Sequence, residues 1–231
     1  MNKETYNLIE SYMLSCMEDS AHDKEHIYRV LNHALEIAKT EEGVDYDVLI
    51  TACLLHDIGR KEQFEDPSLC HASVGGEKAR KYLIAHGFTE QFAENVKHCI
   101  TTHRFRKSNP PQSIEAKILF DADKLDVTGA MGIARTLLYT GEIGEPLYFV
   151  TPDGVVSDGT YDGEASFFKE YKFKLENLYS KFLTRKGTEL AASRKKAAQE
   201  FYKHLYAEIC DSHRFGQEMF SEILTEECAE S

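Results

Sequence analysis

The sequence predicts an all-α fold, and three observations lead to that class. Apolar residues recur at three- and four-residue steps along most of the chain, alternating strand patterns are almost absent, and glycines and prolines gather in one segment near 141–163. The three- and four-residue step places apolar side chains on one face of a helix. We therefore predict a helical bundle interrupted by one long loop or small hairpin near 141–163.

The individual helices follow from this step. The stretch EHIYRVLNHALEIAK, residues 25–39, predicts an amphipathic helix. The next helix, over about 46–57, is apolar on most sides, which predicts a central position and an end near Gly59. Further helices are predicted over about 71–86, 89–102, 113–139, 164–184 and 188–210. The last two carry matching apolar stripes and predict a C-terminal helical hairpin.

Length and composition limit the classes of protein that remain. With 231 residues, of which 42% are hydrophobic and 29% charged, the chain is expected to form one globular domain over 1–231, with a core at about 21–140 and a helical extension at about 164–210. A net charge of −12 argues against a nucleic-acid polymer or an anionic membrane as partner. Because apolar runs fall short of the roughly 20 residues that span a bilayer, and the start lacks a signal-peptide pattern, a cytoplasmic location is expected.

The stretch LLHDIG, residues 54–59, places His56 and Asp57 side by side at the end of the central apolar helix. Ionisable groups buried there without partners would cost several kcal/mol, so something must satisfy them. A histidine bonded to a backbone carbonyl beside a capping aspartate would do so. A divalent first-row metal ion would also do so, because imidazole and carboxylate together suit such an ion.

Two further helices carry polar residues on their apolar faces. His26 lies on the apolar face of its helix, and Asp123 and Asp126 follow Leu119 by four and seven residues, which places both on the inward face of that residue. Asp121 interrupts the same helix and is expected to cap or brace it. Inward acid and imidazole side chains on three separate helices favour a metal site over helix capping.

The order of these residues resembles the H…HD…D signature of the HD-domain superfamily of metal-dependent phosphohydrolases. The segments HDKEHIYRV, LLHDIG, HASVGGEKA, HRFR, LFDADKLDVTGAMGIAR and GTELAASR occur in the same order as in the YedJ/YpgQ-like hydrolases, a bacterial branch of small stand-alone members. The resemblance covers about residues 21–209 and implies a divalent ion (manganese, magnesium, iron or nickel). The resemblance also implies that the ligands of this ion are His26, His56, Asp57 and Asp123.

A basic segment, KHCITTHRFRK at residues 97–107, contains no acid in an otherwise acidic chain and predicts a site for phosphate. We expect Arg104, Arg106 and Lys107 to bind the substrate, with a solvated helix end as the alternative. His71 and His103 are expected to contact substrate or transfer protons. As in relatives with two metals, they are alternatively ligands of a second ion.

The function expected from this set is metal-assisted hydrolysis of a small phosphate substrate, with Asp57, His71, His103 and Asp126 as catalytic residues. Asp126 is expected to orient the water or a ligand. The sequence contains no GxSxG elbow, GxxxxGK[ST] loop or GxGxxG fingerprint, the motifs that would indicate a different kind of catalysis. The resemblance implies a nucleotide substrate and allows a nucleoside triphosphate pyrophosphohydrolase, a phosphomonoesterase or a phosphodiesterase. A non-catalytic metal- or nucleotide-binding regulatory module stays open as an alternative.

Overall fold

The computed structural model describes residues 1–17, 24–104 and 109–227, with the backbone alone over 225–227. Throughout these ranges the chain is helical apart from its loops and one isolated β-bridge, which confirms the predicted all-α class. None of the helices described has both the length and the apolar character needed to cross a membrane.

The chain divides into two compact units, each built from two segments. The first unit comprises Met1–Asp126 and Phe182–Leu190, and the second comprises Val127–Lys181 and Ala191–Ser231. The prediction of a single domain over 1–231 stays a prediction.

The first unit is a bundle around one buried helix. Its helices, in chain order, are α1 (Lys3–Met17), α2 (Lys24–Ala38), α3 (Tyr46–Leu55), α4 (Arg60–Glu65), α5 (His71–Ala85), α6 (Glu90–Thr102) and α7 (Ile114–Leu125). Most α3 side chains are buried, and α3 packs against α1, α2, α5, α6 and α7, as its apolar sequence predicts. Side-chain oxygens of Asp45, Thr89 and Ser113 accept backbone N–H bonds at the starts of α3, α6 and α7.

A close approach of two backbones brings the end of α3 to the start of α5. A Cβ atom on Gly59 would lie 2.3 Å from the His71 carbonyl oxygen and 2.6 Å from the Gly75 nitrogen. Gly59 therefore permits this contact and is the N-cap residue of α4, whereas α3 ends earlier than predicted, at Leu55. Gly76 has a similar role, since a Cβ there would lie 2.7 Å from Cγ2 of Thr101 on α6. The glycines place α5 and α6 beside the HD pair.

Asp121 braces the first unit, as predicted. Its carboxylate accepts hydrogen bonds from the backbone N–H groups of Leu183 and Thr184 and from the Thr184 hydroxyl. These residues precede the long helix α10 (Arg185–Glu227), whose first residues belong to this unit. Burial raises the pKa of Asp121, and the three donors oppose that effect.

The second unit contains α8 (Gly129–Glu142), the short α9 (Phe167–Glu170) and α10 from Ala191 onward. Tyr202 of α10 stacks on Tyr171 with ring centroids 4.0 Å apart, and its hydroxyl donates to the Asp158 carbonyl. An isolated antiparallel bridge between Val150 and Val156 confirms the loop or small hairpin predicted near 141–163.

Several helices differ from their predicted bounds. The predicted helix 113–139 is broken, because Thr128 is extended and Gly129 has a φ of 60°. Over 164–184 the structure has α9, one π turn (Tyr171–Leu175) and a 3-10 turn (Leu178–Ser180) in place of one helix. The Asn177 amide donates to the Lys172 carbonyl there, a local bond that competes with a regular helix. The first arm of the predicted hairpin is therefore not a regular helix, and the second arm is longer than predicted, since α10 continues to Glu227.

Candidate metal centre

Four predicted ligands meet in the first unit. His26 comes from the first turn of α2, His56 and Asp57 directly follow α3, and Asp123 lies in the last turn of α7. Nε2 of His26 lies 3.4 Å from Nε2 of His56 and 3.3 Å from Oδ1 of Asp123. Nε2 of His56 lies 3.9 Å from the same Asp123 oxygen. We call His26, His56 and Asp123 the first group.

His71 and His103 lie on the other side of Asp57. His71 begins α5 and His103 follows α6, and their Nε2 atoms are 3.3 Å apart. Oδ1 of Asp57 lies 3.4 Å from Nε2 of His71 and 3.8 Å from Nε2 of His103. We call Asp57, His71 and His103 the second group; like the first, it has the composition and spacing of a possible cation site.

Asp57 connects the two groups through its two oxygens. While Oδ1 faces the second group, Oδ2 lies 3.7 Å from Nε2 of both His26 and His56. Asp57 is 5% exposed, so water does little to screen its charge from either side. One carboxylate thus faces the Nε2 atoms of four histidines, two on each side.

Each histidine of the centre has its other ring nitrogen bonded to an acceptor. Nδ1 of His56 donates to the Cys53 carbonyl at 2.7 Å, and Nδ1 of His103 donates to the Ile100 carbonyl at 2.6 Å. A carbonyl oxygen only accepts, so Nδ1 carries the hydrogen in both rings and a neutral ring presents its Nε2 lone pair to the centre. The bonding pattern is that of metal-ligating histidines.

The two groups differ in protonation. Burial opposes a charge on His26, yet hydrogen bonds to Asp123 and Asp126 raise its pKa to about 9. Burial lowers the pKa of His71 to about 2 and that of His103 to about 4. Although burial favours the neutral acid, the neighbouring His56 and Arg60 hold the pKa of Asp57 well below its usual range.

The donor set fits a divalent cation. Two ligand atoms about 2.1 Å from one cation are roughly 3.0 Å apart in an octahedral shell and 3.4 Å apart in a tetrahedral one. The donor pairs of the first group, at 3.3 to 3.9 Å, are close to that spacing. In the second group, two neutral imidazoles and an ionised carboxylate converge, and a cation between them would offset the repulsion of their lone pairs.

Asp126 lies behind His26. One of its oxygens accepts from Nδ1 of His26 at 2.7 Å, and the other accepts from Nε of Arg29 at 2.7 Å. Of the two roles expected for Asp126, orienting water does not match this position, because both oxygens are engaged away from the Nε2 side of His26. Orienting a ligand does match it, because the completely buried carboxylate fixes the orientation of the ring of His26, a candidate ligand.

The basic segment is only partly described. Arg104, next to His103, has an exposed side chain, while Arg106 and Lys107 lie outside the described residues. Lys97 of the same segment forms an ion pair with Glu77 at 2.5 Å. Arg60 adds a positive charge at the centre, because its Nε donates to Oδ1 of Asp57 at 3.0 Å.

Sequence reasoning missed two supporting residues, Arg29 and Gln63. Oε1 of Gln63 accepts from Nδ1 of His71 at 2.6 Å. Arg29 lies three residues after His26 on the same helix, and this spacing predicts that the two side chains are neighbours. For Gln63 the sequence contains no such signal, because the segment between α4 and α5 determines which α4 residue faces His71.

Comparison with known proteins agrees with this centre. A family model described as the HD domain matches residues 24–128. YpgQ of Bacillus subtilis (strain 168) is 31% identical over 196 residues, which are 83% of this chain and 86% of YpgQ.

Solved structures give the same result. The crystal structure of Bacillus subtilis YpgQ in complex with ADP matches with a TM-score of 0.68 at 28% identity, covering 89% of this chain and 95% of that one. An HD-superfamily hydrolase from Bacillus thuringiensis matches with a TM-score of 0.67 at 26% identity, covering 89% of this chain and 96% of its own. The histidines and aspartates of the centre lie within the segment that the HD model covers. The chain belongs to the HD-domain superfamily of hydrolases.

Proposed function

We propose that the chain is a divalent-metal-dependent phosphohydrolase that acts on a nucleotide or a related small phosphate ester. The observation that carries this proposal is the convergence of six buried or part-buried candidate ligands, in two groups that both face the Asp57 carboxylate. A buried cluster of this kind without a ligand is costly, and the two-histidine, one-carboxylate composition of each group suits a divalent first-row ion.

The residues that would hold the cations divide between the two groups. His26, His56 and Asp123 would hold one cation, and His71 and His103 would hold a second, with one oxygen of Asp57 for each. When bound, such cations polarise phosphoryl oxygens and lower the pKa of water. Burial and Nδ1 bonding support the ligand role for His71 and His103 over proton donation, since neutral rings with low pKa values have no proton to give near pH 7.

Positive side chains near the centre would bind the substrate phosphates. Arg60 is about a third exposed at 34% and has a hydrogen bond to Asp57, so its guanidinium has access to both the ligands and solvent. Arg104 is exposed beside His103, and Arg106 and Lys107 follow in sequence. Planar guanidinium groups bind phosphate oxygens in pairs, which orients the ester for hydrolysis.

The nucleotide class rests on YpgQ, whose crystal structure was solved in complex with ADP. Among nucleotide reactions, cleavage of a triphosphate to monophosphate and pyrophosphate is our first choice, and phosphomonoester or phosphodiester hydrolysis is the second. A panel of ribo- and deoxyribonucleoside tri- and monophosphates and cyclic nucleotides, incubated with the Mn²⁺-loaded protein, separates them. Release of pyrophosphate without orthophosphate supports the first choice.

The control for this screen is Asp57→Asn protein purified in the same way, because a contaminating hydrolase would remain in that preparation. A regulatory module would bind one of these nucleotides without turnover. Calorimetric binding of a nucleotide together with no product above the Asp57→Asn background would contradict the hydrolase proposal and support the module.

A further inference from the structure

Gln63 on α4 connects His71 to a backbone carbonyl through its amide group. Its Nε2 donates to the carbonyl oxygen of Leu69 at 3.1 Å, and its Oε1 faces Nδ1 of His71 at 2.6 Å. A carbonyl oxygen only accepts hydrogen bonds. The Leu69 contact therefore fixes which end of the amide is nitrogen and leaves the amide oxygen directed at His71.

The orientation of the amide determines the tautomer of the histidine. Because Oε1 only accepts, Nδ1 of His71 must carry the ring hydrogen, and Nε2 of the neutral ring keeps its lone pair. That lone pair faces Oδ1 of Asp57 at 3.4 Å and Nε2 of His103 at 3.3 Å. In the opposite tautomer, a hydrogen on Nε2 would point at these two atoms and occupy the place of a cation.

We infer that Gln63 is a positioning residue that holds His71 in its Nδ1–H tautomer and thereby sets the affinity of the second group for a divalent cation. The affinity part of this inference rests on the two-cation function proposed above. The tautomer part does not, because it concerns the protein without cations.

The surroundings of Gln63 hold it in place. Lys78 of α5 donates to the Ile58 carbonyl at 2.9 Å and to Glu62 at 2.6 Å, which secures the start of α4. On the other side, Asp66 accepts from the backbone and hydroxyl of Ser68, and its carbonyl accepts from the Leu69 N–H. Bonds to α5 thus hold the start of α4, and a local turn over 66–69 holds the Leu69 backbone.

His71 differs from the other histidines of the centre in the kind of acceptor behind it. His56 and His103 bond to carbonyls of their own helical turns, and His26 bonds to the Asp126 carboxylate. The acceptor of His71 is a neutral amide eight residues away in sequence. Unlike the carbonyls behind His56 and His103, this neutral acceptor is a side chain, so a substitution at Gln63 changes what stands behind the ligand histidine.

The tautomer is tested first, by ¹⁵N NMR of the histidine side chains in the cation-free protein. His71, assigned by its loss in His71→Asn, should show Nδ1 protonated and Nε2 unprotonated in the parent. Gln63→Ala should shift the ring toward a mixture of tautomers, and Gln63→Glu, which keeps an acceptor oxygen, should preserve the parent signal. Glu65→Ala, an exposed change on the same helix, is the matched control.

The affinity is then measured by calorimetric titration with Mn²⁺, without substrate. Gln63→Ala should leave the tighter site unchanged and weaken the second by about 10- to 100-fold, the usual effect of removing a partner of a ligand histidine. Gln63→Glu should bind the second cation at least as tightly as the parent. If Gln63 only supported the fold, both substitutions would lower the unfolding temperature, which thermal unfolding measures directly.

Four results would overturn all or part of this inference. An Nε2–H tautomer in the parent, or an unchanged tautomer in Gln63→Ala, would show that Gln63 does not position the ring. Equal second-site affinity in the parent and Gln63→Ala would remove its effect on binding. Binding of one Mn²⁺ by the parent would reject both the two-cation proposal and the affinity part, while the NMR spectrum would still decide the tautomer part.

Discussion

The first and second groups use the same types of side chain, yet they differ in what stands behind their histidines. In the first group, His26 has the Asp126 carboxylate on its Nδ1 and the Asp123 carboxylate near its Nε2, and its pKa rises to about 9. In the second group, a neutral amide and a carbonyl support His71 and His103, and burial lowers their pKa values.

The two groups thus differ in the charge that stands behind their histidines. A carboxylate behind His26 stabilises positive charge at that position, whether the charge is a proton or a divalent cation. Within the described part of the chain, the second group has the shared Asp57 as its one carboxylate to offset a cation's charge. We therefore expect the first group to bind a cation more tightly, and the second to bind one that exchanges more readily.

The largest effect is expected from Asp57→Asn, which removes the negative charge that both groups share. The side chain keeps its shape, but a neutral amide nitrogen replaces one of the two oxygens that face the groups. Elemental analysis should show near-complete loss of bound metal, and activity should fall on the order of 10³-fold or more. Full metal occupancy in this variant would exclude Asp57 as a ligand that the two groups share.

Asp211→Asn is the control for that experiment, because Asp211 is an exposed carboxylate on α10 in the second unit. It should retain the metal content and activity of the parent. Loss of metal in both variants would point to a general effect of charge rather than to the candidate centre.

The pH dependence of cation binding should distinguish the two groups. A cation must displace the proton of His26, so affinity at the first group should rise about tenfold per pH unit below pH 9, or roughly 100-fold between pH 6 and pH 8. His71→Ala, which disables the second group, isolates this binding in a Mn²⁺ titration. The second group should show little dependence over the same range, since His71 and His103 are already neutral.

The same raised pKa has a consequence for the cation-free protein. Protonated His26 stabilises the fold below its ordinary pKa of 6.5, and this stabilisation is lost as the pH rises through about 9. The difference in unfolding temperature between the parent and His26→Asn should therefore shrink over that window. A constant difference from pH 6 to pH 10 would contradict the raised pKa.

Asp126→Asn should bring the first group closer to the second, because a neutral amide would then stand behind His26 as one stands behind His71. We expect affinity at the first group to fall about 10- to 100-fold, with the second group unchanged. Mn²⁺ titration of this variant in the His71→Ala background measures the effect. An unchanged affinity would mean that the carboxylate contributes only to folding, through Arg29.

The sequence predicted the side of the centre that helical periodicity determines. His26 and Asp123 were placed on inward faces because a fixed step along a helix fixes the direction of each Cβ atom. The HD pair was noticed because it ends an apolar run, and the family resemblance implied the ligand set. Periodicity does not determine the rotamer of Asp57, so its two oxygens facing two groups were not predictable. Nor does it describe the glycine contact at Gly59 that brings His71 to the centre, which depends on two backbones meeting in space.

The same limit applies to the helix ends. The predicted helix 113–139 continues the apolar step across 126–128, yet the chain leaves the helix there, because local backbone bonds and Gly129 outweigh periodicity. As a consequence, Asp126 ends α7 as its cap and lies behind His26, whereas a continuous helix predicted that it faces the ligand side.

The smallest effect is expected from Arg104→Ala, which tests whether Arg104 binds the substrate phosphate. Arg104 is exposed, so its hydrogen bond to a phosphate oxygen should contribute about 1.5 kcal/mol, or roughly tenfold in kcat/KM, with metal content unchanged. Arg104→Lys should recover part of the loss, because a point charge lacks the planar fork. Arg214→Ala, an exposed change on α10, is the control. If Arg104→Ala retained the parental rate, Arg104 would belong to a solvated helix end. Arg60 would then be the remaining candidate for phosphate binding among the described residues.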